Sequence, residues 1–173
     1  MNATTLEDDI GILSRAPLLG LLDREALRLI AFAAETRVLR PGDVLFRKGD
    51  RSDGGYVVKS GAIALDGRGA SDGRDVGTEA TFVAGPCALV GQNALFTRIE
   101  RSATATAREP TTVLCIAPSL MRRVLEEFPG AAASIRDVVA DELQSITEGL
   151  ERVRRRLVAI DGEIPAEDPP ERG

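Results

Sequence analysis

Apolar residues recur at two different periods along this chain. Leu6 to Leu13 and Arg24 to Ala34 carry them at helical spacing, with Leu27, Ile30 and Ala34 marking the second run. The spacing predicts two helices separated by Pro17, with Asp23 placed as the N-cap of the second. From Thr36 to Ile116 the texture changes to short β-branched runs broken by Gly, Asp and Pro. That alternation predicts an antiparallel barrel or sandwich. Gly67 to Gly77 is dense in Gly, Asp and Ser and reads as a mobile hairpin tip. After Pro118 the helical period returns, and the tail from Asp161 is rich in Pro and acid, a composition of disordered chain.

The helix expected from about Ala132 to Ile160 carries a second signal. Val139, Leu143, Ile146, Leu150, Val153, Leu157 and Ile160 follow a four-three spacing, which fills the a and d positions of successive heptads. One reading is an amphipathic helix packed on its own β-domain, and the N-terminal half fits it. The far half does not, because each residue adds ~1.5 Å of rise and no later element could cover it. A self-associating coiled coil over 139–160 is therefore expected. Arg152, Arg154, Arg155 and Arg156 form a basic run along it. They read as a solvated face, with Arg156 able to meet Asp161 of a parallel partner; a docking site for an acidic partner is the alternative. The expected organisation is a β-domain with N-terminal helices over 1–130, the long helix over 131–160 and a disordered tail over 161–173.

Composition narrows the function. A chain of 173 residues fits one domain with an appendage. Aromatics are only 3% and Trp is absent, so Val, Leu, Ile and Ala must fill the core. A net charge of -5 and a pI near 4.9 argue against nucleic-acid binding, which favours basic surfaces. No charged-then-apolar signal stretch opens the chain and no apolar run is long enough to span a membrane, so a cytoplasmic protein without a membrane partner is expected. Cys87 and Cys115 have no CxxC spacing and are expected as reduced, small core residues, with a disulfide between them as the alternative. The chain has no histidine. This removes Ser-His-Asp and Cys-His catalysis and His-based metal sites, and points away from an enzyme and from a cofactor or metal.

The candidate chemistry lies in Gly91-Gln92-Asn93-Ala94-Leu95 and in Arg101-Ser102-Ala103-Thr104. A glycine lets the backbone approach a ligand closely. The residues after it read as one short helical turn with N–H groups available to an anion. Arg101 then brings, from a second segment, the planar fork that suits a phosphate. The two pieces together closely resemble the phosphate-binding cassette of cyclic nucleotide-binding domains: Gly-Glu-x-Ala-Leu, a short loop, then Arg-Ser/Thr-Ala. Arg40-Pro41-Gly42-Asp43, Lys48-Gly49-Asp50, Gly55 to Gly61, Thr112 to Ile116 and Met121 to Pro129 resemble further segments of that family in the same order, closest to the bacterial catabolite activator type.

The resemblance implies a mainly β fold with flanking helices: an eight-stranded jelly-roll β-barrel (double-stranded β-helix), N-terminal helices and a long C-terminal dimerisation helix. It implies a ligand, cyclic AMP or second to it cyclic GMP, bound by Gly91, Gln92, Asn93, Ala94, Arg101, Ser102 and Ala103. Arg101, the Ser102 hydroxyl and the Ala103 N–H would hold the cyclic phosphate. Gln92 replaces the family's glutamate, and its carbonyl would accept from the ribose 2′-OH. Thr147 stands where such regulators reach the purine across the dimer; its other reading is an exposed coiled-coil position. The implied function is a homodimeric sensor acting on a protein partner, with a dimeric scaffold of the same fold and a non-binding pocket as the alternative. The helix-turn-helix that follows in catabolite activators is not present in this sequence.

Overall fold

The computed structural model describes residues 3–66 and 81–137, and the chain divides into a unit over Met1–Ser134 and a second over Ile135–Gly173. The expected hairpin tip at 67–77, the heptads at 139–160, Thr147 and the tail all lie outside the described residues. Of the second unit only residues 135–137 are described, and they are helical.

Two helices open the first unit, α1 (Ala3–Leu13) and α2 (Arg24–Ala33). The Asp23 side chain accepts the Ala26 N–H at 2.8 Å, the expected cap. Ala26, Leu27, Ile30 and Ala31 are buried along one face of α2, and Ile10 and Leu13 of α1 are buried as well. Lys59 Nζ lies 2.5 Å from Oδ1 of Asp9, which is itself buried, and ties α1 to the sheet strand that carries Lys59. The contact is ionic rather than a well-angled hydrogen bond.

Eight antiparallel strands follow among the described residues: β1 (Glu35–Leu39), β2 (Val44–Phe46), β3 (Gly55–Ser60), β4 (Ile63–Asp66), β5 (Thr81–Ala84), β6 (Leu89–Val90), β7 (Thr104–Ala107) and β8 (Thr111–Ile116). They form two four-stranded sheets, ordered β1-β8-β3-β6 and β2-β7-β4-β5. This is a jelly-roll arrangement of eight strands but not the closed barrel expected: among the described residues the two sheets remain separate ladders. The physical reason lies in how the strands pair. Strand β6 is two residues long, and the chain then leaves the sheets for a 3₁₀ turn and an irregular stretch before β7, so no continuous edge remains to close.

Side chains from both sheets meet in one core: Phe46, Tyr56, Val58, Ile63, Val90 and Val113 with small alanines between them. Burying each of the larger aliphatic groups is worth ~1.5–3 kcal/mol. Two of the scarce aromatics lie here, the Phe46 and Tyr56 rings stacked at 5.9 Å between centroids. A third helix, α3 (Pro118–Glu127), starts with Pro at its first turn and buries Met121 and Val124. Residues 129–134 are helical again. Both cysteines are free thiols. Cys115 is in the core, and burial pushes its thiol above the ordinary range. Cys87 departs from the expectation: it is half-buried in the β5–β6 turn, with φ of 65°, and donates its N–H to Val58 O. A tight turn, not core packing, places it.

Candidate functional site

Two Asp-bearing turns set the frame of the site. In residues 40–43 the Asp43 carboxylate accepts the Arg40 N–H at 2.8 Å, and in 47–50 the Asp50 carboxylate accepts the Arg47 N–H at 2.8 Å. The second turn holds the segment before β7. The Gly49 N–H donates to Arg101 O and the Arg101 N–H to Asp50 O, while Ser52 exchanges backbone and side-chain bonds with Ile99. Arg101 is thereby fixed by a loop some 50 positions earlier in the chain.

The Arg101 side chain runs inward and is only 4% exposed. Its Nη2 donates to Gly54 O at 2.7 Å and to Asp53 Oδ1 at 3.0 Å. Its guanidinium carbon sits 4.1 Å from the centroid of Phe46 and 5.3 Å from that of Tyr56, a cation over two aromatic faces. Nε and Nη1 are buried without a hydrogen-bond partner. Buried donors on a charged group are costly to leave unmatched, so the arrangement favours an anion there.

Gly91 explains why the guanidinium can lie where it does. Its φ of 73° is left-handed, and a Cβ at this position would sit 2.4 Å from Arg101 Nη1. The 3₁₀ turn Gln92–Leu95 begins directly after it. Ala94 and Leu95 are fully buried and pin the turn, whereas Gln92 is half-buried and Asn93 exposed.

Asp53 joins a second cation to the cluster. Its Oδ1 accepts from Tyr56 Oη at 2.6 Å and its Oδ2 from Arg37 Nη1 at 3.0 Å; Arg37 also donates to Tyr56 Oη at 2.9 Å. Burial alone would raise the Asp53 carboxyl, but the Tyr56 hydroxyl and Arg37 outweigh it and hold it below the ordinary range. A carboxyl so depressed stabilises the fold above its unfolded pKa near ~3.9, and that contribution is lost as pH falls through the lower folded value. Burial pushes the Tyr56 hydroxyl the other way, well above its ordinary value, with the Asp53 carboxylate adding to the effect.

The turn after Gly91 and the segment from Ile99 to Ala103 border an open cavity of about 290 Å³. Gly91, Gln92, Asn93, Arg101, Ser102 and Ala103 all line it, so six of the residues singled out in the sequence converge. Ala94 does not line it; it lies beneath the turn as an anchor. Phe46, beneath the Arg101 guanidinium, and Leu65, Phe82 and Leu89 supply apolar lining. Asp53 and the two aromatic faces against Arg101 were not foreseen. The only signal for Asp53 was an acid in a glycine-containing loop before β3.

The description "cyclic nucleotide-binding domain" matches residues 36–128 of this chain. The chain belongs to the cyclic nucleotide-binding domain family. A cyclic nucleotide-binding-like protein from Brucella abortus is 38% identical, with 69% of this chain and 98% of that one covered and a TM-score of 0.57. The N-terminal domain of a transcriptional regulator from Streptomyces coelicolor is 31% identical over 80% of this chain and 94% of its own, with a TM-score of 0.69. The cAMP-dependent protein kinase regulatory subunit of Yarrowia lipolytica is 26% identical over 86% of this chain. The curated relatives are far longer: the chain spans 8% of a fungal lysophospholipase and 37% of that regulatory subunit. No helix of the described residues is long and apolar enough to cross a membrane.

Proposed function

We propose that this cyclic nucleotide-binding domain is a sensor whose ligand, cyclic AMP before cyclic GMP, seats its phosphate on Arg101. The observation that carries this reading is the buried guanidinium with Nε and Nη1 unpartnered beside the Gly91 backbone. The Ser102 hydroxyl and Ala103 N–H add donors to the phosphate, Gln92 accepts from the ribose 2′-OH, and Asn93 and Ala94 shape the turn. Leu65, Phe82 and Leu89 offer the base an apolar wall. Thr147 of a partner's long helix completes the purine end, and occupancy is passed to a protein partner by rearrangement of that helix. Calorimetric titration with cyclic AMP and cyclic GMP tests the reading; no heat with either at millimolar concentration refutes it.

One observation favours a second reading, a dimeric scaffold with a silent pocket: Gln92 offers a neutral amide where the family has a carboxylate. A neutral hydrogen bond is weaker than a charge-assisted one by ~1 kcal/mol, up to about tenfold in affinity. Gln92→Glu is therefore expected to tighten cyclic AMP binding by up to about tenfold. A substituted protein that still gives no heat of binding leaves the scaffold reading standing.

Self-association through 139–160 has its own test. A version ending at Glu142 is expected to sediment as a monomer and the full chain as a dimer, with the β-domain folded in both. Equal particle composition for the two rules the helix out as the interface.

A further inference from the structure

We propose that Asp53 makes the Arg101 site selective for a singly charged phosphodiester over a doubly charged phosphomonoester, so that the site separates a cyclic nucleotide from its hydrolysed product by charge. The inference rests on the reading of the Arg101 cavity as a phosphate site.

The argument is a charge count around one guanidinium. Arg101 is buried, and its ion pair with Asp53 Oδ1 at 3.0 Å already balances its unit charge. Behind Asp53 stands Arg37, at 3.0 Å from Oδ2, itself shared with Glu35 at 3.2 Å. Glu100 lines the cavity from its exposed rim. Among the described lining residues Arg101 is the one cation, with Glu100 beside it on the lining and Asp53 paired to its Nη2. A ligand's first negative charge is met by the unpartnered Nε and Nη1 of Arg101. A second negative charge meets no further cation among the described lining residues and is repelled by Asp53 and Glu100. A cyclic phosphate carries one charge, whereas a phosphomonoester carries nearly two at neutral pH and above. Near a protein surface such an added charge is felt over several ångströms, because the effective dielectric is well below that of water.

The geometry makes Asp53 a positioning and charge-setting residue. Its side chain is half exposed and meets the ligand only through Arg101. Two substitutions then move selectivity in opposite directions. Asp53→Asn removes the balancing charge and leaves Arg101 with a surplus, which a dianion exploits more than a monoanion. Arg37→Gln removes the cation behind Asp53 and makes the cluster more negative, which penalises a dianion further. A purely structural role for either residue would lower affinity for both ligands together and leave their ratio unchanged.

The experiment is calorimetric titration of the full chain and both variants with cyclic AMP and with 5′-AMP at pH 8, alongside a thermal melt of each protein. Asp53→Asn is expected to narrow the preference for cyclic AMP over 5′-AMP by about tenfold. Arg37→Gln is expected to widen it. If Asp53→Asn fails to fold, the direction of the Arg37→Gln shift decides. Binding of cyclic AMP with a ratio that is unchanged, or that moves the same way in both variants, overturns the proposal and leaves the phosphate site standing. Absence of binding by every version at millimolar nucleotide overturns the phosphate site and this proposal with it.

Discussion

Alanine in place of Arg101 is expected to remove most cyclic-nucleotide binding while the β-domain stays folded. The side chain carries two unpartnered buried donors next to Gly91, and it does so in a site closed on one side by the Phe46 and Tyr56 rings. Loss of a desolvated charge partner costs a ligand ~2–5 kcal/mol, from about thirtyfold to a few thousandfold in affinity. The fold survives because Asp53 is not abandoned: Tyr56 Oη and Arg37 Nη1 still donate to it, and its side chain is half exposed. Lysine at the same position keeps the charge without the planar donor set and is expected to fall between wild type and alanine. Calorimetric titration with cyclic AMP, backed by a melting curve, reads both quantities. Indistinguishable isotherms for wild type and alanine variant would remove Arg101 from the site.

Valine in place of Gly61 is expected to give the largest loss of stability of any single change considered. Gly61 joins β3 to β4 at φ of 81°, a left-handed conformation that a β-branched residue adopts only under strain. A Cβ there would meet Thr111 Oγ1 at 2.4 Å, Pro110 O at 2.5 Å and Thr111 Cα at 2.7 Å. Two of those atoms are backbone or bound to it and cannot swing aside. The third is the hydroxyl that accepts the Ala62 N–H at 3.1 Å and donates at 2.8 Å to Glu109 O, so displacing it opens the turn it holds. Strain and steric conflict together are expected to cost about 3 kcal/mol. For a domain of this size that lowers the melting temperature by roughly 6–12 °C. A variant that melts within 2 °C of wild type would show that the β3–β4 turn relaxes without cost.

The sequence by itself determined the features that neighbouring residues encode. The α2 boundary follows from Asp23 and the apolar face at Leu27 and Ile30, and the structure caps it where expected. The strand region from Thr36 to Ile116 follows from alternation and punctuation, and the turns at Arg40-Pro41-Gly42-Asp43 and Lys48-Gly49-Asp50 from their resemblance to family segments; the structure adds the Asp that bonds back three residues in each. The family, and the convergence of Gly91, Gln92, Asn93, Arg101, Ser102 and Ala103 on one cavity, were legible because the motif order survives in the linear chain.

Only the tertiary structure decided the environment of Arg101. Its carboxylate partner is 48 positions away, its aromatic face at Phe46 is 55, and its backbone clamp is at 49–50. No local rule joins residues so far apart, since their approach depends on both sheets packing at once. The same cause separates the two sheets where a barrel was expected: a two-residue β6 is a pairing outcome that hydrophobic pattern alone does not fix. It also moves Cys87 from core to turn, where a positive φ and a bond to Val58 O outweigh its apolar character. Local hydrogen bonding and backbone freedom are carried by adjacent residues and can be read in order. Burial, charge balance and ladder closure are properties of distant segments brought together, and they exist only once the chain has folded.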